Sequence, residues 1–240
     1  KGNPIESSKL YGKNFAHKAW FKDAVAGNFL KGENGLTGTS VQPPERNEIV
    51  GEIYKNDGFV IPFSAQVHSD TGELLGVWVN FADFGLVDEI VGQSREDMIN
   101  KSMAAPDLMI FDAQGTQLVD YDPQNLDAQG KLIHDFDNII LKKNFISLGV
   151  EAAKLAAEGK AGITTEINPD SHEINVFAYD KSNGVYGYPG TGWLVLIGAD
   201  PDDIFSDVNK LAELMIMVQV AIAIMSVLFA FFLGSLAIRP

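Results

Sequence analysis

The stretch FVIPFSAQVHSDTGELLGVWVNFADF, residues 59–84, decides the fold of this chain. Two segments rich in Val, Phe and Trp, 59–67 and 74–81, flank a polar sequence that contains Asp70 and Gly72. Apolar and aromatic runs of this length predict strands, and Asp and Gly between them are typical of a tight turn. The stretch therefore predicts an antiparallel β-hairpin.

The same strand, turn and strand pattern recurs further along the chain. Residues 108–111 and 116–119 flank the turn sequence Asp-Ala-Gln-Gly at 112–115, and further strands are predicted at 174–179 and 193–197. Helical spacing predicts helices over 86–103 and over 148–158. The pattern predicts an α+β fold, with two related modules in series that each contain an antiparallel sheet.

A last helix is predicted from Pro201 onward. Asp200 has the residue type of an N-cap, and Pro201 suits the first helical position. No proline follows before Pro240, and the first glycine is Gly234. These features predict one unbroken helix that continues into the apolar run described next.

Residues 214–238 form an apolar run without any charged side chain. In a helix, 25 residues span about 37 Å, which is enough to cross a hydrocarbon core of about 30 Å. The alternative is a buried core helix, but such helices seldom exceed about 20 residues without a polar face. We therefore expect a transmembrane helix.

The charge balance restricts the partners and the orientation of the chain. Before residue 214 there are 17 basic and 32 acidic residues, a net charge of −15. This disfavours nucleic acid, which requires a basic surface. Arg239 is the only charge after the run, so the positive-inside rule predicts a cytoplasmic C-terminus and an external acidic part. Because the chain starts without Met or an export signal, we expect an upstream part to be missing.

The sequence contains no motif of a catalytic, metal or cofactor site. There is no cysteine. The four histidines, His17, His68, His134 and His172, share no metal-ligand spacing. No GxSxG motif, phosphate-binding loop or kinase signature occurs. We therefore expect neither an enzyme nor a metal or cofactor site.

Aromatic residues beside polar ones indicate a small-molecule pocket instead. Trp20 and Phe21 are adjacent and lie between Lys18 and Lys22. The hairpin region contributes the further candidates Tyr54, Asn56, Trp78 and Asn80. Aromatic walls with a few convergent polar groups are typical of ligand pockets. The alternative is that Trp20 and Trp78 simply fill the core.

With these segments in place, the chain resembles the extracytoplasmic sensor of bacterial methyl-accepting chemotaxis proteins of the double Cache type. Residues 18–24 are similar to the helix-to-loop segment of the membrane-distal module, and residues 61–84 resemble its central hairpin. Residues 187–193 and 200–205 resemble the end of the membrane-proximal module. Pro240 lies where a HAMP linker commonly begins in this family. The resemblance covers nearly the whole chain.

The resemblance also implies a set of ligand-binding residues. In the amino-acid-sensing branch of the family, Arg-x-Trp-Tyr holds the ligand carboxylate, while Tyr-x-Asp and a later strand Asp hold its ammonium. Six positions fall on these motifs, namely Lys18, Trp20, Phe21, Tyr54, Asn56 and Asn80. Trp78 from the hairpin completes the candidate set.

Three departures from the family pattern change the charge of the expected site. Lys18 replaces the arginine and loses its two-pronged carboxylate geometry, while Asn56 and Asn80 replace the acidic anchors. Each charge-assisted hydrogen bond lost is worth about 1.5–3 kcal/mol. We therefore expect a neutral or anionic small molecule rather than a standard amino acid, with Lys18 as the cation.

The resemblance implies a layout and a function for the whole chain. The expected parts are a distal module at 1–92 without its N-terminal portion, a proximal module at 93–200, a connecting helix at 201–213, a transmembrane helix at 214–238 and the start of a HAMP linker at 239–240. The expected protein is a homodimeric chemoreceptor of the bacterial inner membrane with a periplasmic sensor. It would act on a histidine kinase and a coupling adaptor through its missing cytoplasmic part. The alternatives are the same sensor on a membrane histidine kinase or diguanylate cyclase, a membrane-anchored periplasmic enzyme, and a structural or adhesion protein.

Overall fold

The computed structural model describes residues 8–35, 37–101, 106–121, 125–128 and 130–237. The helices are α1 (Ala19–Ala26), α2 (Glu48–Tyr54), α3 (Gly85–Asn100), α4 (Glu151–Ala157), α5 (Pro201–Ile204) and α6 (Ser206–Ala237). The strands are β1 (Thr39–Val41), β2 (Glu45–Arg46), β3 (Phe59–His68), β4 (Leu74–Asp83), β5 (Asp107–Phe111), β6 (Gln117–Tyr121), β7 (Gly162–Ile167), β8 (Ile174–Lys181) and β9 (Leu194–Ala199). The fold is α+β with two antiparallel sheets, as predicted.

The first sheet is built around β3. Strand β4 pairs with one side of β3, and the short strands β1 and β2 pair with the other. The β3–β4 turn contains Gly72, whose backbone φ of +85° suits glycine and whose amide donates to the carbonyl of Ser69 at 2.9 Å. The predicted hairpin is confirmed.

Helix α1 lies across one face of this sheet. Its buried residues, Trp20 and Ala24, are four positions apart and therefore share one side of the helix. The Ser64 hydroxyl donates to the Trp20 carbonyl oxygen at 2.8 Å, and the Gln66 side-chain amide donates to that of Ala24 at 2.8 Å. These bonds fix α1 to alternate residues of β3.

The second sheet has the strand order β6-β5-β9-β8-β7. Helix α4 packs on it through Ala152, Ala153 and Ala156, which are completely buried. Methyl side chains allow the helix to approach the sheet closely. The helix predicted over 148–158 corresponds to α4 and starts later than expected, at Glu151. The carboxylate of Glu166 in β7 accepts hydrogen bonds from the backbone amides of Glu151 and Ala152 and so caps the helix at that point.

Helix α3 connects the two sheets, which share one hydrophobic core. Phe59 and Ile61 of β3 pack in the same cluster as Leu108 and Ile110 of β5. Gly92 of α3 permits this arrangement, because a Cβ at that position would lie 2.7 Å from the hydroxyl oxygen of Tyr121. A second core cluster lies between α4 and the second sheet.

The prediction of one unbroken helix from Pro201 is wrong at Phe205. Helix α5 ends at Ile204, and α6 begins at Ser206. Phe205 has φ −95° and ψ 5°, outside the helical region, although its amide still bonds the Pro201 carbonyl at 2.9 Å. Ser206 and Asp207 follow directly, and Ser and Asp are residue types that favour a helix start over a helix interior. The connection is therefore a one-residue bend between two helices.

Helix α6 is long and apolar enough to cross a membrane. Its segment Val208–Leu228 has a mean hydropathy of 2.3, and no part of its most apolar window is buried. Twenty-one helical residues extend about 32 Å, which matches a bilayer core of about 30 Å. The predicted span of 214–238 overlaps this segment, and its last residue, Ile238, lies outside the described part of the chain together with the expected linker residues 239–240.

Candidate functional site

Trp20 lies in an aromatic cluster between α1 and the first sheet. Its ring centroid is 5.8 Å from that of Phe15, 6.0 Å from that of Phe21 and 6.1 Å from that of Phe81. The rings of Phe21 and Phe81 meet the indole edge to face, at 72° and 87°. Trp20 is 6% exposed, so its own ring is shielded from solvent, while the other three rings are partly exposed.

The indole nitrogen of Trp20 is a buried donor. Within the described residues Nε1 has no hydrogen-bond acceptor. An unpaired buried donor costs about 1–3 kcal/mol, so an acceptor supplied from outside would be stabilised there. Lys18 immediately precedes α1, is half-buried and forms no ion pair within the described residues. The cluster thus combines aromatic walls with an unused donor, and Lys18 lies two residues before Trp20 in the sequence.

Trp78 and Asn80 lie on the opposite face of the same sheet. Trp20 contacts Phe81, and successive residues of a strand point to opposite faces, so positions 78 and 80 face away from α1. The Trp78 indole donates to Oδ1 of Asn80 at 3.1 Å, and Trp78 is 64% exposed. These two residues form an exposed pair of their own.

Tyr54 and Asn56 lie at a third place, a cavity of about 570 Å³ that we call the junction cavity. Tyr54 ends α2 and is 59% exposed. The other lining residues come from β2, the segment 55–57, the end of β4, the start of α3, Asp127 and the segment 131–136. They include Arg46, Lys55, Asp57, Asp83, Asp88, Asp127, Lys131, Leu132, Ile133, His134 and Phe136. None of the cavities described here is lined by Trp20, so the structure separates the seven candidate residues into three groups.

The junction cavity contains an arrangement that the sequence did not indicate. His134 Nδ1 is 2.6 Å from Oδ2 of Asp57, and its Nε2 is 3.1 Å from Oδ2 of Asp88. The second contact is an ion pair without good hydrogen-bond alignment. The imidazole side chain is 5% exposed and packs against the rings of Phe59 and Phe136. Asp57 precedes β3 and Asp88 belongs to α3, so His134 ties three segments together.

The two carboxylates keep His134 positively charged. Burial alone would lower the pKa of His134, but the hydrogen bond with Asp57 and the interaction with Asp88 outweigh burial and raise this pKa to about 9. For Asp57, burial opposes ionisation, yet the bonds from His134 and from the Phe59 amide lower the pKa of its carboxyl group. His134 is therefore a fixed cation at neutral pH.

The backbone around Asp57 is specified by local sequence. Asn47 caps α2, since its Oδ1 accepts from the amide of Val50 at 3.2 Å. Gly58 has φ +71°, and a Cβ there would collide with the carbonyl oxygen of Asn47. Only glycine fits this close approach, which aims Asp57 at His134.

The described residues line further cavities besides the junction cavity. One of about 470 Å³ adjoins the junction cavity and shares Asp83, Gly85, Asp88, Lys131 and Leu132 with it. A more apolar one of about 330 Å³ lies between the first sheet and the segment 187–189. Within the described residues, no group of three or more His, Cys, Asp or Glu side chains is placed to hold a metal ion.

Solved structures of bacterial sensory domains share this architecture. The periplasmic sensory domain of the Campylobacter jejuni chemoreceptor Tlp1 matches with a TM-score of 0.52 at 16% sequence identity, over 79% of this chain and 57% of that domain. This chain has the fold of a bacterial periplasmic sensory domain. The extracellular domain of mmHK1S-Z3, whose name assigns it to the histidine kinases, matches with a TM-score of 0.50 at 14% identity, over 85% of this chain and 63% of that domain.

The comparisons confirm the resemblance to sensory domains at the level of the fold. The chain spans 57% and 63% of the lengths of these two domains. No protein-family model matches the sequence, and no curated protein matches it. The division into two Cache modules at residue 92 and the ligand-binding set stay predictions.

Proposed function

We propose that this chain is the sensory and membrane-spanning part of a bacterial transmembrane receptor that responds to a small molecule. The observation that carries the proposal is the fold shared with the Tlp1 sensory domain. In this chain the last strand of that fold, β9, leads through α5 into the exposed apolar helix α6. A sensory fold joined directly to a membrane-length helix has the layout of a transmembrane sensor.

The sensory part is placed outside the cytoplasm and the C-terminus inside. The net charge of −15 before residue 214 and the single Arg239 after the apolar run favour this orientation. In this proposal, residues 1–92 and 93–200 form a distal and a proximal module, and two chains assemble into a homodimer of the inner membrane.

The proposed output is chemotaxis. The signal would pass through a HAMP linker after Pro240 to a methyl-accepting domain, and from there to a histidine kinase and its coupling adaptor. A second output is that of a membrane histidine kinase itself, which the likeness to mmHK1S-Z3 favours. Fusing residues 1–240 to a chemotaxis signalling domain tests the first output, because an attractant for the sensor should then change swimming bias.

The proposed ligand contacts are Lys18, Trp20 and Phe21. The unpaired indole N–H and the nearby cation favour a ligand that supplies acceptors, consistent with a neutral or anionic molecule. Because Trp20 is 6% exposed, ligand entry requires the aromatic cluster to open. Tyr54, Asn56, Trp78 and Asn80 are not part of this set, because they lie in the junction cavity or on the opposite face of the sheet.

The experiment is a thermal-shift screen of the chain in lipid nanodiscs against organic acids, neutral metabolites and amines. A ligand at about 100 times its Kd adds about 2.7 kcal/mol to the free energy of unfolding. Trp20→Phe, which keeps a ring but loses the N–H, should weaken binding about tenfold. The matched control is Trp78→Phe on the opposite face, which should bind normally. If no compound raises the unfolding temperature, or if both variants bind equally, the proposal fails.

A further inference from the structure

The carboxylates that line the junction cavity already face donors of the protein itself. The four pairs are Asp57 with the His134 ring (2.6 Å), Asp88 with the same ring (3.1 Å), Asp83 with the backbone amide of Gly85 (3.1 Å) and Asp127 with the backbone amide of Lys131 (2.9 Å). His134 in turn has both of its ring nitrogens beside carboxylates. Each of the four carboxylates therefore faces at least one donor of the fold, while Oδ1 of Asp88 has no hydrogen-bond partner within the described residues.

The basic side of the cavity is not engaged in the same way. Lys55 and Lys131 form no ion pair within the part of the chain that the structure describes. Arg46 is held in a defined orientation, because its Nε donates to the Asp57 carbonyl oxygen at 3.2 Å and its guanidinium lies 5.1 Å from the Phe136 ring centroid. The other guanidinium N–H groups have no partner among the described residues, so they remain available as donors.

The uncharged polar groups of the cavity add further donors. Asn56 uses its Oδ1 to accept from the Gly58 amide at 3.0 Å, which leaves its amino group as the free end. Tyr54 contributes a hydroxyl at the rim. Leu132, Ile133 and Phe136 supply an apolar wall. A molecule that fits here needs acceptor groups for several donors and a carbon skeleton against that wall.

We infer that the junction cavity binds a small organic molecule carrying one or two carboxylate groups. A carboxylate accepts from Arg46, Lys55 or Lys131, whereas an ammonium group would be repelled by these three cations and would compete with donors of the protein for the cavity's carboxylates. A volume of about 570 Å³ is ample for a short dicarboxylate. This cavity shares no lining residue with the aromatic cluster around Trp20. Its walls come from segments that connect elements of the first sheet and from the segment that follows β6.

The test is isothermal titration calorimetry of the chain in nanodiscs of uncharged lipid. Succinate is the probe, and 1,4-butanediol and 1,4-diaminobutane are its neutral and cationic counterparts with the same four carbons. Succinate should bind and the other two should not. Added salt should weaken the binding of succinate, because the contacts are charge-assisted and lie near the surface.

Variants then locate the bound succinate. Lys55→Gln with Lys131→Gln should weaken binding at least about tenfold, since each lost charge-assisted hydrogen bond is worth about that factor. The matched control is Lys142→Gln, an exposed lysine that does not line the cavity. Tyr54→Phe, which removes only a hydroxyl, should weaken binding several-fold and serves if the double variant does not fold.

Three results would overturn the inference. One is the absence of heat from succinate at millimolar concentration, and another is binding of diaminobutane as tight as that of succinate. The third is succinate binding that survives the junction-cavity variants but is lost in Lys18→Ala, which would move the anion to the aromatic cluster. The first two results leave the sensor proposal untouched, whereas the third would support its Lys18 contact. The sensor proposal has its own test in the Trp20→Phe comparison.

Discussion

His134 and Asp57 are 77 residues apart in the sequence, yet Nδ1 of His134 lies 2.6 Å from Oδ2 of Asp57. Asp57 belongs to the segment that leads into β3, and His134 belongs to the segment that follows β6. Together with Asp88 on α3, the pair links the first sheet, the connecting helix and the second half of the chain. A contact of this kind makes the relative position of these segments depend on one proton.

The first prediction concerns the pH dependence of stability. The pKa of His134 is raised from its ordinary value of 6.5 to about 9, so its contribution is fully present below about pH 6.5 and is lost as the pH rises through 9. A shift of this size corresponds to about 3 kcal/mol at most. The unfolding temperature in detergent should therefore fall between pH 6.5 and pH 9.

The control for this prediction is a second histidine. His134→Gln should be less stable at pH 6 and should lose most of the decline toward pH 9, whereas His68→Gln on the exposed end of β3 should keep the wild-type profile. Parallel profiles for wild type and His134→Gln would show that the proton on His134 does not stabilise the fold.

Asp57 affects the stability of the fold in the acidic range instead. Because the pKa of its carboxyl group is lowered, its contribution to the free energy of unfolding is lost as the pH falls below about 4.

The second prediction compares two glycines with similar backbone angles. Gly58 has φ +71° and Gly72 has φ +85°, so alanine is strained at both positions. At Gly58 the added Cβ would also collide with the Asn47 carbonyl oxygen, while at Gly72 it would meet nothing within 4 Å. Gly72→Ala should cost about 1 kcal/mol of unfolding free energy, and Gly58→Ala should cost at least about 2 kcal/mol more. Denaturant unfolding measures both, and equal costs would contradict the close approach seen at Gly58.

The third prediction rests on the proposed ligand contacts. If an organic acid emerges from the screen, Lys18→Ala should weaken its binding by more than about tenfold, because a half-buried cation beside Trp20 is lost. Lys22→Ala removes the same charge one helical turn away at an exposed position and should change binding by less than about twofold. Titration calorimetry distinguishes the two. Equal effects would mean that the lysines act only through the general surface field.

The β-hairpin and the long apolar helix α6 were predictable because each depends on local sequence. The turn residues between β3 and β4 and the uncharged run in α6 are visible without any knowledge of tertiary contacts. The short elements α2, β1, β2 and β7 were not predicted, since pieces of two to seven residues are stabilised mainly by their neighbours. The break at Phe205 was missed because the absence of proline and glycine does not exclude a bend.

The candidate site was only partly predictable, for a different reason. Trp20 and Trp78 both looked like pocket residues, but which face of the sheet α1 covers depends on tertiary packing and is not encoded by spacing. His134 carries no local signal, because its partners Asp57 and Asp88 lie far away in the sequence. Contacts between distant segments become visible only in the folded chain.

The last prediction concerns the link between the sensory fold and the apolar helix α6. The Asp200 carboxylate caps α5 by accepting from the Asp202 amide at 2.8 Å, whereas no side-chain hydrogen bond within the described residues involves Asp203. Asp200→Ala should therefore lower the unfolding free energy by about 1 kcal/mol, and Asp203→Ala, with the same loss of charge, by only a few tenths.

If signals pass from β9 through α5 to α6, loosening this cap should change the output of the chimeric receptor at saturating ligand while ligand affinity stays the same. Swimming bias and calorimetry measure the two quantities separately. The chimera would argue against this route if Asp200→Ala and Asp203→Ala gave the same output, or if Asp200→Ala changed affinity as much as it changed output.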